Sequence, residues 1–100
     1  MEKVETFPFD GAEFFAAAED QEELLREAFE TGHAGFIANA FGVVARARGM
    51  TKVAKEAGVT RMALYKGLHE AGDPRLSTLL GLARALGFKI TVQRVADAAE

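Results

Sequence analysis

At 100 residues, 49% of them hydrophobic and 27% charged with both signs present, the chain has the material for one domain with a modest core and is too apolar to stay disordered. It contains no cysteine, which excludes a disulfide framework and a thiolate metal site, and no stretch approaches the roughly 18 apolar residues of a membrane span. The formal charge of −3 excludes a uniformly basic surface, yet it divides into ten acidic and two basic residues over positions 1–32 and five acidic and ten basic over 33–100.

Residues 1–9 place Val4, Phe7 and Phe9 around Thr6 and Pro8 without helical period, and Pro8 disfavours a helix at Phe7, so an extended arm is predicted. Asp10 with Glu13 has the form of a capping box, Phe9 can staple to Phe14, and a short helix to about Ala18 follows. Asp20 and Glu23 repeat the device ahead of Leu24, Leu25, Ala28 and Phe29, which share one face of a second helix ending at Gly32. Phe29, Phe36 and Phe41 suit the core, whereas Phe7 and Phe9, beside a chain end, suit anchors for a partner.

Phe36, Ile37, Ala40, Phe41, Val44 and Ala45 recur at helical spacing from Gly35 to Ala47, which predicts a third and central helix stopped by Gly49. Arg46 and Arg48 near its end serve either the helix dipole or a phosphate contact.

From Thr51 to Leu68 the sequence TKVAKEAGVTRMALYKGL carries two short helical patterns that meet at a glycine. Thr51 stands where an N-cap belongs, and Val53, Ala54 and Ala57 form one apolar face. Gly58 can take the left-handed angle that closes this helix, and Val59 can plug the corner. Thr60 caps the next helix, with Ala63, Leu64 and Leu68 inside and Arg61, Met62, Tyr65 and Lys66 outside. Two short helices across such a turn are the signature of a helix-turn-helix, whose second helix fits the DNA major groove, and also the pattern of an αα-corner in any helical domain.

Gly72, Asp73 and Pro74 make a loop, and Leu76, Leu79, Leu80, Ala83 and Leu86 an apolar stripe closed by Gly87. Phe88, Ile90 and Val92 then alternate with Lys89, Thr91 and Gln93, which is the period of a half-buried strand. A lone strand must pair with the N-terminal arm, with a second subunit or with a bound partner, and pairing across a two-fold is preferred because helix-turn-helix proteins commonly bind as dimers. Residues 96–100 are expected to fray. The expected fold class is therefore all-α: a compact helical bundle containing a helix-turn-helix, with one short C-terminal β-strand paired across a homodimer. It is one domain over 1–100, with an acidic N-terminal part (1–32), a DNA-binding helical core (33–87) and the strand (88–95).

The stretch ARARGMTKVAKEAGVTRMALYKGLHEAGDPRLSTLLGLARALGFKI, from Ala45 to Ile90, resembles the antidote (antitoxin) proteins of bacterial addiction modules, a branch of the Xre/Cro-type helix-turn-helix families. RARGMT, G-V-T-R, L-Y-K-x-L, the G-x-P loop and ALG follow that group's pattern, and FDGAEFF with the acidic helix fits its N-terminal region. The resemblance implies an antitoxin that binds and silences a RelE-type ribonuclease toxin encoded beside it and represses its own operon through double-stranded operator DNA. This chain departs from the group at Lys52, where Gln is frequent, and at Met62 and Ala63, where Glu and Ser are frequent, so any contact at Met62 is apolar, as with a thymine methyl.

By mechanism, Lys52, Lys55 and Lys66 suit phosphate, with Thr60 and Arg75 helping to position the helices on the backbone. Arg61 is the base reader, through a bidentate pair with a guanine edge. Tyr65 either stacks on the sugar-phosphate or supports the helix as a rim residue. The acidic residues Glu19, Asp20, Glu22, Glu23, Glu27 and Glu30 are an electrostatic counterpart for a basic toxin, unless they only solvate their helix.

No enzyme is expected. His33 and His69 are the only histidines, Ser77 is the only serine, and neither a metal-ligand spacing nor a Gly-rich phosphate loop accompanies them, so no cofactor or metal is assigned. His69, at the end of the recognition helix, suits the helix dipole. A soluble cytoplasmic protein with no membrane partner is expected, since no basic segment followed by an apolar run opens the sequence. The alternative is a stand-alone Xre/Cro-type repressor without a toxin; a third reading, an interaction module that has lost DNA binding, is opposed by the basic run from Arg46 to Arg84.

Overall fold

The computed structural model of the chain describes residues 17–96. These contain five helices: α1 (Ala18–Thr31), α2 (Ala34–Arg48), α3 (Met50–Ala57), α4 (Arg61–Gly67) and α5 (Leu76–Leu86). The arm and first short helix expected over 1–16, with Phe7 and Phe9, lie outside the described residues.

Helix α1 starts earlier than its acidic residues suggest. Ala17 is the N-cap and its carbonyl accepts from the Gln21 N–H at 3.1 Å, so Asp20 is not a cap but joins Glu19 in the first turn. Ala18, of the best helix-forming type, opens the helix two residues before Asp20, and both carboxylates then face the positive end of its dipole. Gly32 closes α1, and His33 caps α2, its Nδ1 accepting from the Phe36 N–H at 3.3 Å.

Helix α2 is the central support. Phe41, Val44 and Ala45 are buried on it, α1 packs along it, and α3 and α4 pack against it elsewhere. Its Gly42 lies against the chain leaving α4, where a Cβ would come within 2.5 Å of the Leu68 carbonyl oxygen. Of the three phenylalanines expected inside, Phe41 is fully buried, Phe29 packs edge-on against it at 6.1 Å from the margin, and Phe36 is half-exposed.

Gly49 joins α2 to α3 with no linker. At φ 103° and ψ 110° it donates its N–H to the Arg46 carbonyl (3.3 Å) and accepts from the Val53 N–H (3.0 Å), so it ends one helix and caps the next. Thr51 is consequently not the N-cap of α3; it lies exposed in the first turn. Only glycine tolerates this backbone region without strain, and a single such residue takes over what a capping side chain would otherwise do.

Gly58 closes α3 at φ 78°, and the Thr60 hydroxyl oxygen accepts from the Ala63 N–H at 3.0 Å to cap α4, both as the sequence predicts. Leu64 and Leu68, four residues apart, fix the inward face of α4, and Ala63, about 100° round the helix from Leu64, is exposed instead of buried. The same rotation corrects the stripe on α5. Leu82, Ala83 and Leu86 are buried and Leu79 half-buried, while Leu80 faces outward and Leu76, at the exposed first turn, is 67% accessible.

The strand expected over 88–95 is not formed among the described residues. Phe88 and Ile90 pack half-buried on the core, the Phe88 N–H donates to the Ala83 carbonyl at 2.8 Å, and beyond Ile90 the chain is exposed. A strand exists only with a ladder partner, and nothing in the described residues of one chain supplies it. No helix of the described residues is long and apolar enough to cross a membrane.

Candidate nucleic-acid interface

Helices α3 and α4 meet across the three residues Gly58, Val59 and Thr60, and Val59 is half-buried in the corner with its N–H on the Ala54 carbonyl at 3.0 Å. Burial of Val53 and Ala54 from α3 and of Leu64 from α4 fixes the rotation of both helices. That rotation turns Lys52 and Lys55 outward on α3, and Arg61, Met62, Tyr65 and Lys66 outward on α4.

The outer face of α4 is partly organised in itself. Arg61 Nη2 donates to the Tyr65 hydroxyl at 3.3 Å, and the guanidinium carbon stands 5.3 Å from the centre of the Tyr65 ring. These residues are four apart on the helix, the spacing at which side chains meet. Tyr65 thus supports the arginine at the edge of the helix, and the guanidinium keeps its other N–H groups for a partner. Met62, 66% exposed, adds an apolar knob one residue along. The Thr60 oxygen is committed to its cap, which leaves the hydroxyl hydrogen as a donor.

Arg75 is the N-cap residue of α5 and is exposed. Pro74 lies against Gly67, with its Cβ 3.6 Å from where a Gly67 side chain would begin, so Arg75 stands near the far end of α4. His69 closes that end: its Nε2 lies 2.8 Å from the Lys66 carbonyl oxygen and its Nδ1 accepts from the Ala71 N–H at 3.2 Å.

The structure divides the two arginines at the end of α2. Arg48 is half-buried, its Nε donating to Gln21 Oε1 at 2.8 Å and its guanidinium 5.8 Å from the centre of the Phe88 ring. It ties α1, α2 and the segment after α5 together, which gives it a structural role. Arg46 is half-buried in the same last turn. The Gln21 and Arg48 pair, 27 residues apart, and the His33 cap are the features that reading the sequence missed; only an unexplained glutamine beside the apolar face of α1 signals the first.

Glu19, Asp20, Glu22, Glu23, Glu27 and Glu30 are all exposed on α1. Arg26 bridges Glu22 and Glu23, each at 2.7 Å, in an exposed intrahelical cluster. Helix α2 lies between this acidic helix and the α3–α4 unit. The acidic and basic faces are therefore presented by separate elements, and among the described residues no group of acidic or histidine side chains could hold a metal.

Residues 5–94 match a family described as "probable addiction module antidote protein". A relative in Haemophilus influenzae, described as an uncharacterized protein, is 35% identical over 86 residues, which is 86% of this chain and 89% of that protein. No solved structure matches.

Proposed function

The chain belongs to the family of probable addiction module antidote proteins, and from that premise we propose that it is the antitoxin of a type II toxin-antitoxin module. Family membership implies a toxin partner of some kind; the finer reading is that it neutralises a RelE-type ribonuclease toxin and represses its own operon as an Xre/Cro-type DNA-binding protein. It acts by binding, without catalysis or cofactor, in the cytoplasm.

The observation that supports the DNA half is the outward face of α4, with Arg61 propped by Tyr65, flanked by Met62 and Lys66, and with Lys52 and Lys55 beside it across a capped three-residue turn. In this reading α4 enters the major groove, Arg61 reads a guanine, and Met62 meets a thymine methyl. Lys52, Lys55, Lys66, Thr60 and Arg75 hold the phosphates and carry the salt dependence of binding. Two copies pair through 88–95, which places two recognition helices on successive half-sites.

Co-expression with the neighbouring small reading frame tests the whole reading. The neighbour is expected to arrest growth alone, to be harmless with this chain, and to co-purify with it, and the complex to bind the DNA upstream of its own operon. A neighbour that neither harms nor binds would leave the stand-alone repressor as the better account.

A further inference from the structure

Between α1 and α2 runs an open groove of about 250 Å3 that no residue of the α3–α4 face touches. Leu24, Ala28 and Thr31 of α1 line one side and Phe36, Ala40 and Val43 of α2 the other. Phe36 lies at this groove 49% exposed, although its ring already stacks on the His33 cap at 4.4 Å. The two rims differ in charge. Glu27 lines the α1 side, and Asp20, Glu23, Glu27 and Glu30 recur at i, i+3, i+7 and i+10, a stripe running beside Leu24, Ala28 and Thr31. The α2 rim carries Asn39 and no charge.

We propose that this groove is the seat of the toxin, which inserts an apolar side chain between Leu24 and Phe36 and sets flanking lysines or arginines against the acidic stripe. The proposal rests on the antitoxin reading and names the surface that performs it. Charge selects the occupant. A second copy of this chain would bring two acidic stripes together, residues 1–16 carry four acidic side chains against one basic, and DNA is a polyanion. A protein that handles RNA needs a basic surface, so it complements the stripe, while a central apolar anchor supplies the dry, well-packed contact that dominates interface energies.

The test is a titration of the intact chain and its variants with the purified product of the neighbouring frame. Phe36→Asp places an acid in the first turn of α2, where the helix dipole favours it, and should weaken binding about thirtyfold or more. Asn39→Lys sets a cation against the incoming cations and should cost roughly tenfold, and Glu27→Lys should slow association most at low salt. Arg61→Ala should bind the toxin as wild type does, and thermal unfolding within a few degrees of wild type establishes that the groove variants are folded. If wild type binds and both Phe36→Asp and Asn39→Lys bind within twofold of it, the groove is not the seat, although the antitoxin reading stands. A wild type that binds no neighbour removes that reading and the proposal with it. Variants that lose toxin binding because a homodimer has dissociated, by light scattering without the toxin, would give the groove to a second copy and overturn the proposal.

Discussion

Arg61 and Tyr65 act as one unit, and the unit makes a distinguishing prediction. The phenol both accepts from the guanidinium and lies under it, which limits the rotamers Arg61 explores before it meets the base proposed for it. Less ordering then remains to be done on binding, the usual advantage of preorganisation. Arg61→Ala should remove on the order of 1–3 kcal/mol of discrimination at one base pair while barely changing affinity for random DNA. Tyr65→Phe keeps the ring and removes only the acceptor, so a smaller loss confined to the same base pair is expected. Binding titrations on operator and random duplexes at two salt concentrations decide both, and equal losses on the two DNAs would move Arg61 from base to phosphate. Of the lysines, each removed phosphate contact should lower the salt slope by about one.

At the scale of elements, the joints are glycines and the faces are fixed by a few apolar residues. Gly42 is a tight joint between helices, because the Leu68 carbonyl occupies the space a Cβ would need. Gly42→Ala is therefore expected to cost about 1–3 kcal/mol by overpacking, seen as a fall in midpoint of roughly 5–20 °C for a domain of this size. Gly49→Ala acts through the backbone instead, forcing a side chain to φ 103°, and should cost about 1–3 kcal/mol with no change in what packs where. Thermal unfolding followed by circular dichroism separates these from surface substitutions such as Lys52→Ala. The helical periods were enough to place α2, the Gly58 turn, the Thr60 cap and the outward side chains of α4, because each follows from spacing within one or two turns. What spacing missed came from neighbours. Gly49 rather than Thr51 starts α3 because the preceding helix ends on the same residue, and Leu80 faces out because Leu79, Leu82 and Leu86 set the rotation of α5. Arg48 is held by a glutamine one helix away, a contact no local pattern contains.

For the whole molecule, the pairing of 88–95 decides whether, in the proposed function, one chain or two reads the operator. Phe88 and Ile90 keep the alternation the sequence sets up, since each reaches back to the core, but Val92 is 98% exposed and Val95 is exposed as well. Leu76 and Leu80 add a second exposed apolar pair on α5. An extended segment with apolar residues on one face and open backbone N–H and C=O groups is a template for another strand. In the proposed dimer the two copies pair there, and the ladder orders what one chain alone leaves open. Val92→Pro removes a donor and fixes φ at the middle of that ladder, at a position that contacts nothing in the helical body. The variant should keep its helical circular dichroism and its thermal midpoint at low concentration. In light scattering it should fall from dimer to monomer, and its operator affinity should drop far more than its affinity for an isolated half-site, since two linked half-sites gain their strength from simultaneous engagement. A Val92→Pro protein that stays dimeric would shift the two-fold to Leu76 and Leu80, where Leu80→Glu should then give the monomer.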